Sequence, residues 1–142
     1  MALRLVIDTN TLIAALLRDS TTRKILLTAP IQFMAPAHMY LEVQEHLPKI
    51  CKRLNSSLQE MQQMVQLLRK HILTVEIDSG SNVLKEAEEL MKDIDPEDAP
   101  IFAAALSVRC DGIWSEDVHL RKQDQFRIWR TKDLLHFIKH ED

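Results

Sequence analysis

Apolar positions along this chain fall into short unbroken runs that alternate with stretches where they recur every three or four residues, the mark of strands alternating with helices. Leu3-Arg4-Leu5-Val6-Ile7 has strand length and ends at Asp8, and Thr9-Asn10-Thr11 offers caps for a helix over Leu12 to Leu17. Ser20-Thr21-Thr22 caps a second helix running through Leu27, which Ala29-Pro30 stops. Ile31-Gln32-Phe33-Met34 is a second strand, ended by Pro36. Two helical segments follow, His38 to Leu54, interrupted or kinked at Pro48, and Ser56 to His71. In the latter Leu58, Met61, Val65, Leu68 and Ile72 form one apolar stripe, and the pair reads as a helical hairpin. Leu73 to Ile77 is a third strand, Val83 to Met91 an acidic amphipathic helix, and Pro100 to Val108 an Ala-rich helix suited to close packing on a sheet. Gly112 to Ser115 and Arg127 to Trp129 are short strands, and Lys132 to Lys139 is a final helix.

Strands alternating with helices predict an α/β/α sandwich with a mainly parallel central sheet and a helical hairpin insertion. At 142 residues the chain is expected to be a single domain spanning 1–142. Its longest apolar stretch, Leu12 to Leu17, is far too short to cross a bilayer, and Asp8 breaks the run that an export signal needs, so the expected location is cytoplasmic. Two cysteines, Cys51 and Cys110, lie far apart without a nearby histidine or second cysteine, which argues against zinc or disulfides and for two buried small hydrophobes. With only Gly80 and Gly112 there is no Gly-rich phosphate loop, so ATP- and NAD-dependent chemistry lose their usual signature.

A net charge of −3 argues against a nucleic-acid partner, but its distribution is uneven. Glu76 to Asp98 holds nine acids against Lys85 and Lys92; from Arg121 to Lys139 six basic residues outnumber Asp124 and Asp133. Such runs are read about equally well as solvated helix faces or as an RNA path.

The acids supply the candidate chemistry. Ligands of open α/β sheets gather beyond the carboxyl ends of the strands, where Asp8 follows the first strand and Asp117 the strand ending at Ser115; Asp98 opens the Ala-rich helix. Carboxylates converging without cations are driven toward protonation unless a divalent ion neutralises them, and hard oxygen donors suit magnesium or manganese. Each acid taken alone has a blander reading. Asp8 is a natural N-cap, Asp95-Pro96-Glu97-Asp98 a strong capping sequence with Asp95 assigned mainly to that role and second to the site, and Glu42 a solvated helix residue. Pro100 makes the helix restart near Asp98 and leaves that carboxylate pointing out.

Taken together, these segments resemble the PIN-domain family, metal-dependent ribonucleases that include the VapC-type toxins of toxin–antitoxin pairs. The resemblance rests on Val6-Ile7-Asp8-Thr9-Asn10, Tyr40-Leu41-Glu42-Val43, Asp95 to Pro100 followed by Ala103-Ala104-Ala105-Leu106, and Trp114-Ser115-Glu116-Asp117, and it runs nearly the whole chain. It implies that Asp8, Glu42, Asp98 and Asp117 hold one or two magnesium or manganese ions, with Asn10 and Ser115 as orienting hydrogen-bond partners. It also implies an RNA substrate, an antitoxin protein and a second copy of the chain as partners. Where many members carry a further acid two residues after the fourth, this chain has His119, expected to be a non-ligand. Two rivals remain. A haloacid dehalogenase-type phosphatase needs a second Asp where Asn10 stands; a non-catalytic PIN-like RNA- or protein-binding module draws support from His119 and the acidic charge.

Overall fold

The computed structural model describes residues 2–17 and 20–140. Five strands, β1 (Leu3–Ile7), β2 (Ile31–Pro36), β3 (Ile72–Val75), β4 (Ile113–Trp114) and β5 (Ile128–Trp129), form one sheet in the order β3-β2-β1-β4-β5. All four pairings are parallel, so the sheet is wholly rather than mainly parallel. Among the described residues there are seven α-helices: α1 (Thr9–Leu16), α2 (Thr21–Thr28), α3 (Ala37–Leu54), α4 (Leu58–Arg69), α5 (Asn82–Met91), α6 (Ala99–Ser107) and α7 (Thr131–His140). Short 3-10 turns occupy Pro96–Asp98 and Val118–Lys122.

Strand pleating sends alternate side chains to opposite faces, and both faces are covered. Leu5, Ile7, Phe33, Ala35, Trp114 and Trp129 pack under α1, α2, α3, α4 and α7. Val6, Met34, Ile113 and Ile128 pack under α5 and α6, where Ala99, Ala103, Ala104 and Ala105 let the Ala-rich helix approach closely. Each fully buried Leu, Ile, Val or Phe contributes roughly 1.5–3 kcal/mol, so the strands are anchored from both sides. Gly112 is required for β4 to lie beside β5: its φ is +138°, and a Cβ there would meet the Arg127 carbonyl oxygen at 2.3 Å and the Trp129 indole at 2.8 Å.

The expected helical hairpin is α3 with α4. α3 continues through Pro48, which is exposed, rather than breaking there. It ends at Asn55 in the left-handed region (φ 53°), a conformation asparagine tolerates. Ser57 then caps α4, accepting the Glu60 N–H while its hydroxyl meets the Glu60 carboxylate. Met61, Val65 and Leu68 of the α4 stripe are core, whereas Leu58 is 53% exposed. Cys51 is buried but Cys110 only half-buried, short of the burial expected for both. Among the described residues no helix is long and apolar enough to cross a membrane.

From β1 the chain lays down β2 and β3 on one side, then returns past β1 to add β4 and β5 on the other. This reversal opens a crevice beyond the carboxyl ends of β1 and β4.

Candidate metal centre

Asp8 leaves the end of β1 and is the N-cap of α1, so the helix begins at Thr9, earlier than the hydrophobic pattern indicates. Its carboxylate is buried and held at both oxygens. Oδ1 accepts the Thr11 N–H (2.8 Å) and the Thr11 hydroxyl (2.6 Å), and Oδ2 accepts the Ser115 hydroxyl. The Ser115 oxygen in turn accepts the Asp117 N–H at 3.0 Å, so one hydroxyl at the end of β4 sets both acids. Burial pushes the Asp8 carboxyl above the ordinary carboxylate range, against the hydrogen bonds from Ser115 and Thr11 that lower it.

Asp98 reaches the crevice because two helical pieces meet there. Asp95 caps the 3-10 turn through the Glu97 N–H (3.2 Å), Pro96 takes the first position, and α6 restarts at Ala99. Asp98 stands at that junction with no side-chain capping bond, leaving its carboxylate to the cleft. Burial, then the neighbouring charges of Asp95 and Asp8, raise it to about 7. One carboxylate oxygen each from Asp95, Asp98 and Asp117 lies within 4.8 Å of the others. Asp95 therefore joins the cluster as well as capping, a role its sequence context conceals.

Glu42 comes from the second turn of α3, after β2, and its Oε1 accepts the Thr9 hydroxyl at 3.1 Å while His38 Nε2 lies 3.7 Å away. Asp8, Glu42, Asp95, Asp98 and Asp117 all line one cleft of about 140 Å³, together with Thr9, Asn10, His46 and Glu97. No Lys or Arg is among these lining residues. A second hollow of about 410 Å³ shares Asp8, Asn10 and Asp117 with the cleft and continues past Thr11, Ala14, Thr22, Glu116 and Thr131.

The expectation for Asn10 shifts. Asn10 lines both hollows but holds none of the carboxylates; Thr11 orients Asp8, as residue i+3 after an N-cap does, and Thr9 orients Glu42. His119 is exposed, lends only its backbone N–H to Asp117 Oδ1 (2.9 Å), and does not line the cleft. His46 went unnoticed in the sequence, although its spacing of four from Glu42 places it on the same helix face.

Hard oxygen donors, gathered with no lysine or arginine among the described lining residues and with one of them raised to about 7 by burial and its neighbours' charge, are a donor set that a divalent ion fits. A PIN domain family model matches residues 6–135. The chain belongs to the PIN domain family. PIN domains are generally nucleases, and the acid cluster typical of them is present. Among solved structures, this PIN domain is similar to one described as PAE2754 from Pyrobaculum aerophilum, with a TM-score of 0.69 and 14% identity, covering 99% of this chain and 92% of that one. At that identity the likeness speaks for the fold alone. A search of curated proteins found no match.

Proposed function

We propose that this PIN domain is a metal-dependent endoribonuclease hydrolysing phosphodiester bonds of single-stranded or structured RNA, and that it is the toxin of a toxin–antitoxin pair. The observation that carries the nuclease reading is the meeting of Asp8, Glu42, Asp95, Asp98 and Asp117 in one cleft, with no lysine or arginine among its described lining residues. Asp98 and Asp117, with Asp95, would hold magnesium or manganese, Asp8 and Glu42 completing the surround. When bound, such an ion supplies a reactive water at neutral pH and stabilises the leaving oxygen of a phosphodiester.

The chain's own part is orientation. Ser115 and Thr11 fix Asp8, Ser115 also positions the Asp117 backbone, and Thr9 aims Glu42, so the ligands need little rearrangement on binding. The larger hollow beside the centre is walled by Asn10, Thr22 and Thr131, groups suited to a sugar–phosphate strand. Among the described residues no Phe, Tyr or Trp side chain is exposed: Tyr40, Trp114 and Trp129 are core, and Phe126 and Phe137 are half-buried. The strand is therefore held through its backbone rather than by base stacking, which favours weak base preference.

For partners, the support is surface composition: Leu41, Leu58 and Leu67 of the helical hairpin are 65%, 53% and 41% exposed, apolar area that an antitoxin or a second copy would cover. Sedimentation tests the second copy, since a strict monomer at high concentration removes it. The activity is tested by incubating a mixed-sequence, partly single-stranded RNA with the purified protein and Mg²⁺ or Mn²⁺, beside an EDTA control. Internal cuts that disappear with EDTA are expected; an intact substrate with well-folded protein would turn the reading to a non-catalytic binding module.

A further inference from the structure

We propose that His46 is a substrate-contacting residue, donating an imidazole N–H to a phosphate of the RNA strand next to the scissile one. This rests on the nuclease reading and adds to it the group that receives the strand on the α3 side of the cleft.

Six of the nine residues lining the cleft are acids, so an incoming polyanion meets a strongly negative mouth. A bound divalent ion would offset part of this charge and would leave the phosphate oxygens facing away from it in need of donors. Among the described lining side chains only Asn10 and His46 carry N–H groups. They stand on different elements, Asn10 in the first turn of α1 and His46 in the middle of α3. Asn10 is shared with the larger hollow, whereas His46 lines the acidic cleft alone. The two donors therefore mark two different approaches to the acids.

The placement of His46 is fixed by helix geometry. Glu42 and His46 are four residues apart on one face, with Cβ atoms about 5–6 Å apart. Glu42 is anchored by the Thr9 hydroxyl at 3.1 Å, which ties that face of α3 to the start of α1. The core face of the same helix is made by Met39, Val43, Leu47 and Ile50. His46 itself is exposed and contributes little to packing, so nothing in the fold requires an imidazole there. Either tautomer has one N–H to give, so the contact does not depend on the ring carrying charge.

The test compares wild type with His46→Ala and His46→Gln, and with His136→Ala as an exposed-histidine control on α7. Steady-state cleavage of a short RNA in Mn²⁺ is measured together with Mn²⁺ affinity by calorimetry and RNA affinity by anisotropy with Ca²⁺ replacing Mn²⁺. His46→Ala is expected to lower kcat/KM about tenfold, mainly through KM, and to weaken RNA binding similarly, as loss of one hydrogen bond to a charged group does. Mn²⁺ affinity stays within about twofold, His46→Gln recovers part of the loss by restoring an N–H, and His136→Ala changes nothing. Unchanged RNA binding in His46→Ala overturns the proposal, and so does a loss of Mn²⁺ affinity, which would make the residue a metal ligand. Should wild type bind RNA without cutting it, the nuclease reading fails while the anisotropy comparison still decides the contact.

Discussion

At the amino end of the sheet, polar groups are met one by one. The Arg4 backbone N–H donates to Asp111 Oδ2 (2.9 Å), its Nε to the Arg109 carbonyl (2.7 Å) and its Nη1 to Gln32 Oε1 (2.7 Å), around a hollow of about 570 Å³. At the carboxyl end the hollow is smaller, about 140 Å³, yet five carboxylates of the centre enter it with hydroxyls and backbone N–H groups as partners and no lysine or arginine among the lining residues. Volume alone would point to the wrong end. What separates the two is satisfaction: polar groups each met by a hydrogen-bond partner sit comfortably in a fold, whereas carboxylates crowded on one another cost stability and persist where a ligand completes them.

The largest effect that would break this comparison is on cleavage. Asp117→Asn keeps an oxygen to cap the following turn but removes a carboxylate from the centre, and should lower the rate by on the order of 10³-fold while leaving the circular dichroism spectrum unchanged. A variant that cuts RNA at near wild-type rate would show that the cluster is not the reacting centre.

Next in size is the pH dependence of metal affinity. Burial and the charges of Asp95 and Asp8 hold Asp98 at about 7, so below that value a proton competes with the metal. Mn²⁺ affinity is expected to rise about tenfold between pH 6 and pH 8. Calorimetry in buffers of different ionisation enthalpy would detect the released proton, and a flat profile would argue against Asp98 as a ligand.

The same group predicts a smaller change in stability. Its carboxyl titrates higher in the folded chain than its ordinary 3.8, so its contribution to the metal-free fold is full below about 4 and is lost as the pH rises through about 7. Asp98→Asn should therefore raise metal-free stability at pH 8 by roughly 1–2 kcal/mol once solvent screening is allowed for. Urea unfolding at pH 4 and pH 8 checks this, with the gain small at the lower pH and full at the higher. Smallest is the response at the other end. Arg4→Ala should cost about 1 kcal/mol of stability through its lost hydrogen bonds and leave cleavage unaltered. An activity loss there would blur the distinction between the ends.

The strand–helix alternation was legible because each element carries its own signal: the run before Asp8, the Pro30 and Pro36 stops, the apolar stripe from Met61 to Leu68. Asp98 was legible for a local reason too, since Pro100 forces the helix to restart beside it. Parallel pairing throughout depends on how crossovers close and is not written in any one segment. The choice of Thr11 over Asn10 as the partner of Asp8 turns on capping geometry, in which the side chain reaches the third residue on. Asp95 was only a secondary candidate because of its own good capping context, and His46 was hidden by the ordinary look of a lone histidine on a helix. The hollow bounded by Thr22 and Thr131 joins α2 to α7 across most of the chain, and no local pattern announces it.

The most direct test of the central claim is a calorimetric Mn²⁺ titration at pH 8 of wild type beside Asp98→Asn and Asp117→Asn. Saturable binding by wild type that both variants weaken at least tenfold is the predicted result; equal binding by all three proteins, or none by folded wild type, would contradict it.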